Sequence, residues 1–385
     1  MSKLNKTITL FLAFMSLVLT ACQKETENTT IKTDVQQFEA VWNELNDTYV
    51  FWSIDTTDWD AVYAKYYPLF KEMENEPTFV WRTTWEELAS TLIDHHLTIE
   101  LTRPSTNDKL MLTPGSDEVM KRDYEHAGCS HHENVLNKLV EGGRLVDTAT
   151  YSFKYNIIGD VFDKKYYYSG ILEQNIAYLH IPSFSLLPVE TAKAFCYFKQ
   201  LVANENIKAA IIDVRDNNGG ISENLVPLLS CFTTDPVLIG YSQTKLGLGK
   251  HDLSPKIPVV INPVSGQRRE IPIIVLADIN SMSVAEMLPI AMRHLPQCYV
   301  VGERTYGALG GLVRVEGVTN NEDKGYTITT ANMLFEDVNG TNYEGYGVEP
   351  DIECLFDKDQ WNNGIDNQLE MAISVALDKI AENRK

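Results

Sequence analysis

The chain has 385 residues, long enough for about two or three domains with a sizeable core. Its 53 acidic residues outnumber 33 basic ones, a formal net charge of −20, which excludes nucleic acid or an anionic membrane surface as the main partner. The 6 cysteines are scattered and do not make a disulfide framework, so Cys196, Cys231 and Cys298, in apolar segments, are expected as small buried groups.

In chain order, Lys3 and Lys6 precede the apolar run "ITLFLAFMSLVL", which is too short to span a bilayer and has the form of a signal-peptide core. It ends in "LTAC", Leu19 to Cys22, which resembles the lipobox of bacterial lipoproteins. That resemblance implies a signal peptide over 1–21, acylation of the Cys22 sulfur and attachment to the membrane through the lipid. Residues 22–33 are polar and read as a flexible tether, and the acidic "QKETE" is similar to a surface-export tag; a periplasmic and an outward-facing protein both remain open.

Residues 34–96 predict a helical domain. Phe38, Val41, Trp42 and Leu45 recur at helical spacing, as do Trp59, Val62, Tyr63 and Tyr66, and then Trp85, Leu88, Ala89 and Leu92, with Thr84 and Glu87 as a capping box for the third helix. Residues 97–174 predict a β-rich intermediate region without a clear PDZ module: "TRPSTNDKLMLTPGSDE" is loop-like, and the strands around "ATYSFKYNIIGDVFDKKYYYSGIL" look antiparallel. From 175 to 385, the β-branched runs "NIAYLHI", "IKAAIIDV", "IPIIVLAD" and "CYVVGE" alternate with helical stretches. That alternation predicts an α/β core with parallel strands, whose functional groups belong at the strand carboxyl ends.

Two strand-end loops carry candidate chemistry. "DVRDNNGG", Asp213 to Gly220, ends in paired glycines that let backbone N–H groups approach a ligand. "DINSMSVAE" holds Ser283 at a helix start, with Glu286 three residues on: either a capping box or a nucleophile aimed by the helix N-terminus. In "HAGCSHH", His126, Cys129, His131 and His132 have zinc-like spacing but no fourth ligand pair, so the stretch reads as a polar surface loop and no metal or cofactor is expected. Pro289 is expected to kink or shorten the helix after Ser283.

The segments "LIDHHLTIEL", "IIDVRDNNGG", "SMSVAEM", "VVGERTYG", "NYEGYGVEPDIE" and "DNQLEMAI" together resemble, in order and spacing, the tail-specific or C-terminal processing serine peptidases. The resemblance implies a ClpP/crotonase-like spiral core, with Ser283 as nucleophile and an oxyanion hole made by Val284 N–H and the Gly219–Gly220 turn. Where the processing branch has a general-base lysine, this chain has Ala308, in "TYGALG". It is therefore similar to the tricorn-core branch, related to the retinoid-binding repeats. In that branch the base would be His96 (with His95 a strand-edge residue) and the orienting acid Glu344.

The expected function is a lipid-anchored cell-envelope serine endopeptidase acting on protein or peptide substrates. A catalytically inactive ligand- or peptide-binding protein on the same fold is the alternative. A crotonase-type acyl-CoA enzyme would share the fold alone. Oligomeric state is not legible in the sequence.

Overall fold

A computed structural model describes residues 31–122, 135–154, 164–264, 266–318 and 324–383. The leader with Cys22 and the "HAGCSHH" stretch lie outside the described residues. Among those described, no helix is long and apolar enough to cross a membrane.

The N-terminal helices are α1 (Asp34–Thr48), α2 (Trp59–Glu72) and α3 (Thr78–Ala89). Thr33 and Asp58 cap the first two, their side chains accepting from Gln36 N–H (3.2 Å) and Ala61 N–H (3.0 Å). Their apolar stripes meet in an aromatic core, where Phe70 stacks on Phe38 and packs against Trp85, both at 4.8 Å between ring centroids. The third helix begins about two turns earlier than the capping-box pattern predicts. Thr84 lies inside it and donates its hydroxyl to the Val80 carbonyl at 2.7 Å, which removes it as a cap.

The stretch expected as a loop contains structure. Strand β1 (Thr98–Thr102) pairs antiparallel with β2 (Lys109–Leu112), and helix α4 (Pro114–Arg122) follows. Leu110 and Leu112 alternate into the aromatic core, a pattern too short to stand out from its polar surroundings. Strands β3 (Val146–Lys154) and β4 (Lys164–Leu172) form the expected antiparallel pair.

Next come β5 (Ile176–His180), helices α5 (Pro188–Ala194) and α6 (Cys196–Ala203), β6 (Ala209–Asp213), α7 (Leu225–Leu229), β7 (Val237–Thr244), β8 (Ile257–Ile261) and β9 (Ile273–Ala277). Helix α8 (Val284–Met292), β10 (Cys298–Gly302), β11 (Leu312–Val318), β12 (Lys324–Ala331), β13 (Met333–Asp337), β14 (Ile352–Glu353), a short helix Lys358–Asn362 and α9 (Asn367–Glu382) follow. The main sheet has seven strands in the order β14-β10-β9-β6-β5-β4-β3, parallel from β14 to β5. Every residue of β5, β6 and β9 is buried, because helices cover both faces, α8 among them on one side and α9 on the other. Pro289 stands inside α8 without breaking it, and the helix ends at Met292. Cys231 is buried as expected, whereas Cys196 is exposed, because α6 turns Phe198, Leu201 and Val202 to the core instead.

A second sheet, β11-β12-β1-β2, joins strands from opposite ends of the chain and packs under the aromatic helices. The stretch 97–174 is thus shared between the two sheets. A three-stranded sheet, β13-β7-β8, completes the β structure. Buried Arg215 bonds Asp213 and Asp366, both at 2.8 Å, tying the loop after β6 to the cap of α9.

Candidate active site

Strands β6 and β9 are parallel neighbours, so their carboxyl ends place the loops 214–220 and 278–283 side by side. Met282 N–H donates to the Asn217 carbonyl at 2.9 Å, joining the two loops directly. Asn217 is used at both ends of its side chain: Nδ2 donates to the Ile181 carbonyl (2.7 Å) and Oδ1 accepts from Gly219 N–H (2.8 Å).

Ser283 occupies the turn from β9 into α8 with φ +59° and ψ −118°, a left-handed conformation rare for a non-glycine residue. Strain of this kind on a strand–turn–helix elbow lifts a serine hydroxyl clear of the backbone. Ser283 and Glu286 face each other as a capping box does. The well-formed bond from Glu286 N–H nevertheless goes to the Ser283 carbonyl (2.9 Å) and not to its hydroxyl. Ser281 differs: it is fully buried, donates to the Val214 carbonyl (2.8 Å) and accepts from Asp278 N–H (3.0 Å).

The two glycines of the turn are not equivalent. Gly219 lies against the elbow, and a Cβ there would sit 2.6 Å from Ser283 Cβ. Its N–H, however, donates to Asn217 Oδ1, which leaves Gly220 to supply the open N–H of the Gly219–Gly220 turn. Gly220 has φ +143° and lies so close to Phe184 that a Cβ would fall 2.3 Å from the carbonyl carbon. The N–H groups of Gly220 and of Val284, in the first turn of α8, have no acceptor among the described residues.

Asp94, His96 and Glu344 come together, with one oxygen or ring nitrogen from each inside a 4.8 Å span. Glu344 is buried, not in an exposed turn. Its Oε1 accepts from His95 N–H (3.1 Å), and its Oε2 from Leu309 and Gly310 N–H (2.9 and 3.2 Å). Asp94 accepts from His96 N–H (2.8 Å), Thr330 hydroxyl (2.6 Å) and Ala331 N–H (2.9 Å). So many donors leave these carboxylates little lone-pair capacity for a metal ion, and what remains on Glu344 lies on Oε1. His96 Nδ1 is buried without a hydrogen bond, whereas His95 donates from Nδ1 to the Tyr306 carbonyl (2.9 Å).

The electrostatics follow from burial. Burial first, and then the neighbouring His95, pushes His96 down to about 4, so its imidazole is neutral at ordinary pH. Burial and the Asp94 charge hold the Glu344 carboxyl well above the usual carboxylate range, against the pull of its N–H donors. Burial also raises Asp94. At the lysine position, Ala308 is fully buried beside Val119, Ile279 and Tyr306.

Sequence reasoning passed over Asn217, Asp94 as a member of the cluster, and the reach of Glu286. The only signals were an Asn before the glycines, the Asp two residues before His96, and the Ser-x-x-Glu spacing.

Residues 175–354 match the family model described as "Peptidase family S41". A putative tricorn protease homolog 2 of Streptomyces coelicolor is 29% identical over 208 residues, which cover 54% of this chain and 16% of the relative. A probable CtpA-like serine protease of Staphylococcus haemolyticus is 23% identical over 189 residues, 46% of this chain and 36% of the relative. The chain therefore spans well under half the length of these curated relatives. The crystal structure of a putative peptidase from Parabacteroides merdae superposes with a TM-score of 0.67 at 25% identity, covering 90% of this chain and 98% of that one.

Proposed function

We propose that this chain is a serine endopeptidase that hydrolyses peptide bonds at Ser283, a reading supported by the match of residues 175–354 to the model of peptidase family S41. The observation that carries the reading is the elbow itself. A strained serine packs against Gly219 and takes no well-formed hydroxyl bond from its helix, while the N–H groups of Val284 and Gly220 have no acceptor among the described residues.

In this reading Ser283 Oγ attacks the substrate carbonyl carbon while His96 takes the hydroxyl proton. The carbonyl oxygen becomes an oxyanion received by Val284 and Gly220 N–H, each donor worth about a hundred- to thousandfold in rate. His96 returns the proton to the leaving amine, the C–N bond breaks, and an acyl-enzyme remains. Water, deprotonated by His96, then releases the acid and restores Ser283. Glu344 orients His96 through the remaining capacity of Oε1. The separation between the two closes when substrate binds, since hydrogen bonds of catalytic groups tighten in the Michaelis complex.

A fluorophosphonate probe tests this directly: the wild type should label and Ser283→Ala should not. Equal labelling, or none in either, would favour a binding protein on the same fold.

The finer address belongs to the same proposal. The "LTAC" segment supports cleavage before Cys22, a lipid on its sulfur and residence in the cell envelope, with protein or peptide substrates. Mass spectrometry of the mature N-terminus should find acylated Cys22; an unmodified N-terminus further along would remove the anchor.

A further inference from the structure

We propose that Glu286 is a positioning residue of this site, holding the nucleophile elbow and, through the loop Gly307–Gly310, the acid Glu344 in one fixed relation. The proposal rests on the hydrolase reading above.

A capping glutamate needs one bond, back to the N–H of its own cap residue. Glu286 makes that bond to Ser283 N–H at 3.0 Å and three more outside its helix. Thr305 hydroxyl (2.6 Å) and Gly307 N–H (2.7 Å) meet its Oε1, and Ala308 N–H (2.8 Å) meets Oε2. Four donors thus fill all four lone-pair sites of a fully buried carboxyl group, opposing the burial that raises its pKa. Burying that group is costly unless every site is used, so the arrangement is specific to a carboxylate in this one place.

The loop it grips continues without a break into the acid. Gly307 and Ala308 N–H point to Glu286, and the next two amides, Leu309 and Gly310, point to Glu344. The Gly307 carbonyl also accepts from Gly345 N–H (2.9 Å), and Thr305 Oγ1 accepts from Val348 N–H (2.7 Å). Four successive amides therefore form a spacer between Ser283 and Glu344, in the segment where the processing branch would carry its lysine. A shift of Glu286 moves both ends of that spacer, and misplacement by about 1 Å can lower turnover about a hundredfold.

Glu286→Gln leaves one acceptor oxygen and turns an NH2 group against two donors. The expected result is a kcat about a hundredfold lower with KM changed less than about twofold, because positioning acts on the reacting geometry and not on uniform binding. Combined with Glu344→Gln, the loss should stay within about threefold of Glu344→Gln alone, since residues acting as one unit are not additive. Thr305→Val, which removes a single donor, should show the same selective fall in kcat at about tenfold, and it decides the question if Glu286→Gln does not fold. Losses that multiply in the double variant, or variants that keep kcat within about threefold of wild type, would overturn the proposal. Wild type that neither labels nor hydrolyses brings down the hydrolase reading and this proposal with it. Labelled wild type with unaffected variants brings down the positioning role only.

Discussion

Ser281 and Ser283 stand two residues apart with their hydroxyls in opposite situations: one is buried between the Val214 carbonyl and Asp278 N–H, the other sits on a strained turn with no well-formed bond from a helix amide. The two alanine variants should therefore diverge. Ser283→Ala is expected to lose turnover by about a millionfold while melting within a few degrees of wild type. Ser281→Ala leaves two buried groups unpaired and should lose about 1–3 kcal/mol of stability, with the smaller effect on turnover. Thermal melts and hydrolysis assays on both check this. A folded Ser281→Ala that is the less active of the two would reverse the assignment.

The pH profile should lie lower than a free imidazole would give. With His96 pushed down to about 4, kcat/KM is expected to hold steady through the range around 6.5 and to fall only near 4. A fall centred near 6.5, the ordinary histidine value, would mean that His96 is not held down by burial or is not the base. The stability sign follows. Between 6.5 and about 4 the unfolded chain binds a proton that folded His96 does not. Its contribution is therefore complete above that window and is lost as pH falls through it.

Glu344 carries the opposite sign. Its carboxyl is raised by burial, so the folded chain binds that proton more tightly, and the stability it contributes is present at low pH and lost as pH rises. Glu344→Gln should remove this dependence, so the wild type's Tm relative to the variant should decline as pH rises above the ordinary carboxylate range. Hydrolysis should fall about ten-thousandfold, as when a triad acid becomes an amide. A Tm difference that does not change with pH would show that Glu344 is ordinarily ionised.

Restoring the missing lysine should not restore a second mechanism. Ala308 is enclosed by Val119, Ile279 and Tyr306, so Ala308→Lys would overpack that cluster by about 1–3 kcal/mol or more and bury a charge. In a His96→Ala background it is expected to lower the Tm and recover no hydrolysis. Recovery would show that the loop still holds a working lysine pocket.

Much of this was legible from residue order because its cause is local. The β-branched runs that became β5, β6, β9 and β10 are fully or largely buried, and that burial is what their composition reports. The helical spacing of Phe38, Val41 and Leu45 likewise marks the buried face of α1. The elements that escaped depend on partners far along the chain or on backbone amides. β2 is only four residues long and acquires its meaning from β1, and β1 from β12. The commitment of Gly219 N–H depends on the rotamer of Asn217, and Glu286 gathers loop amides that no side-chain pattern announces.

The contact from His95 N–H to Glu344 joins residues 249 positions apart, and β1 pairs with β12 across a similar span. On a ribosome, which adds about 5–20 residues each second, the histidine segment is made on the order of tens of seconds before its acid exists. Ser283 is added 187 residues after His96 and 61 before Glu344, so the serine of the proposed mechanism exists for only the last part of that interval, with no assembled machinery around it. On the hydrolase reading proposed above, the newborn polypeptide, and any neighbour being made beside it, would be spared from cleavage until its own strands have closed.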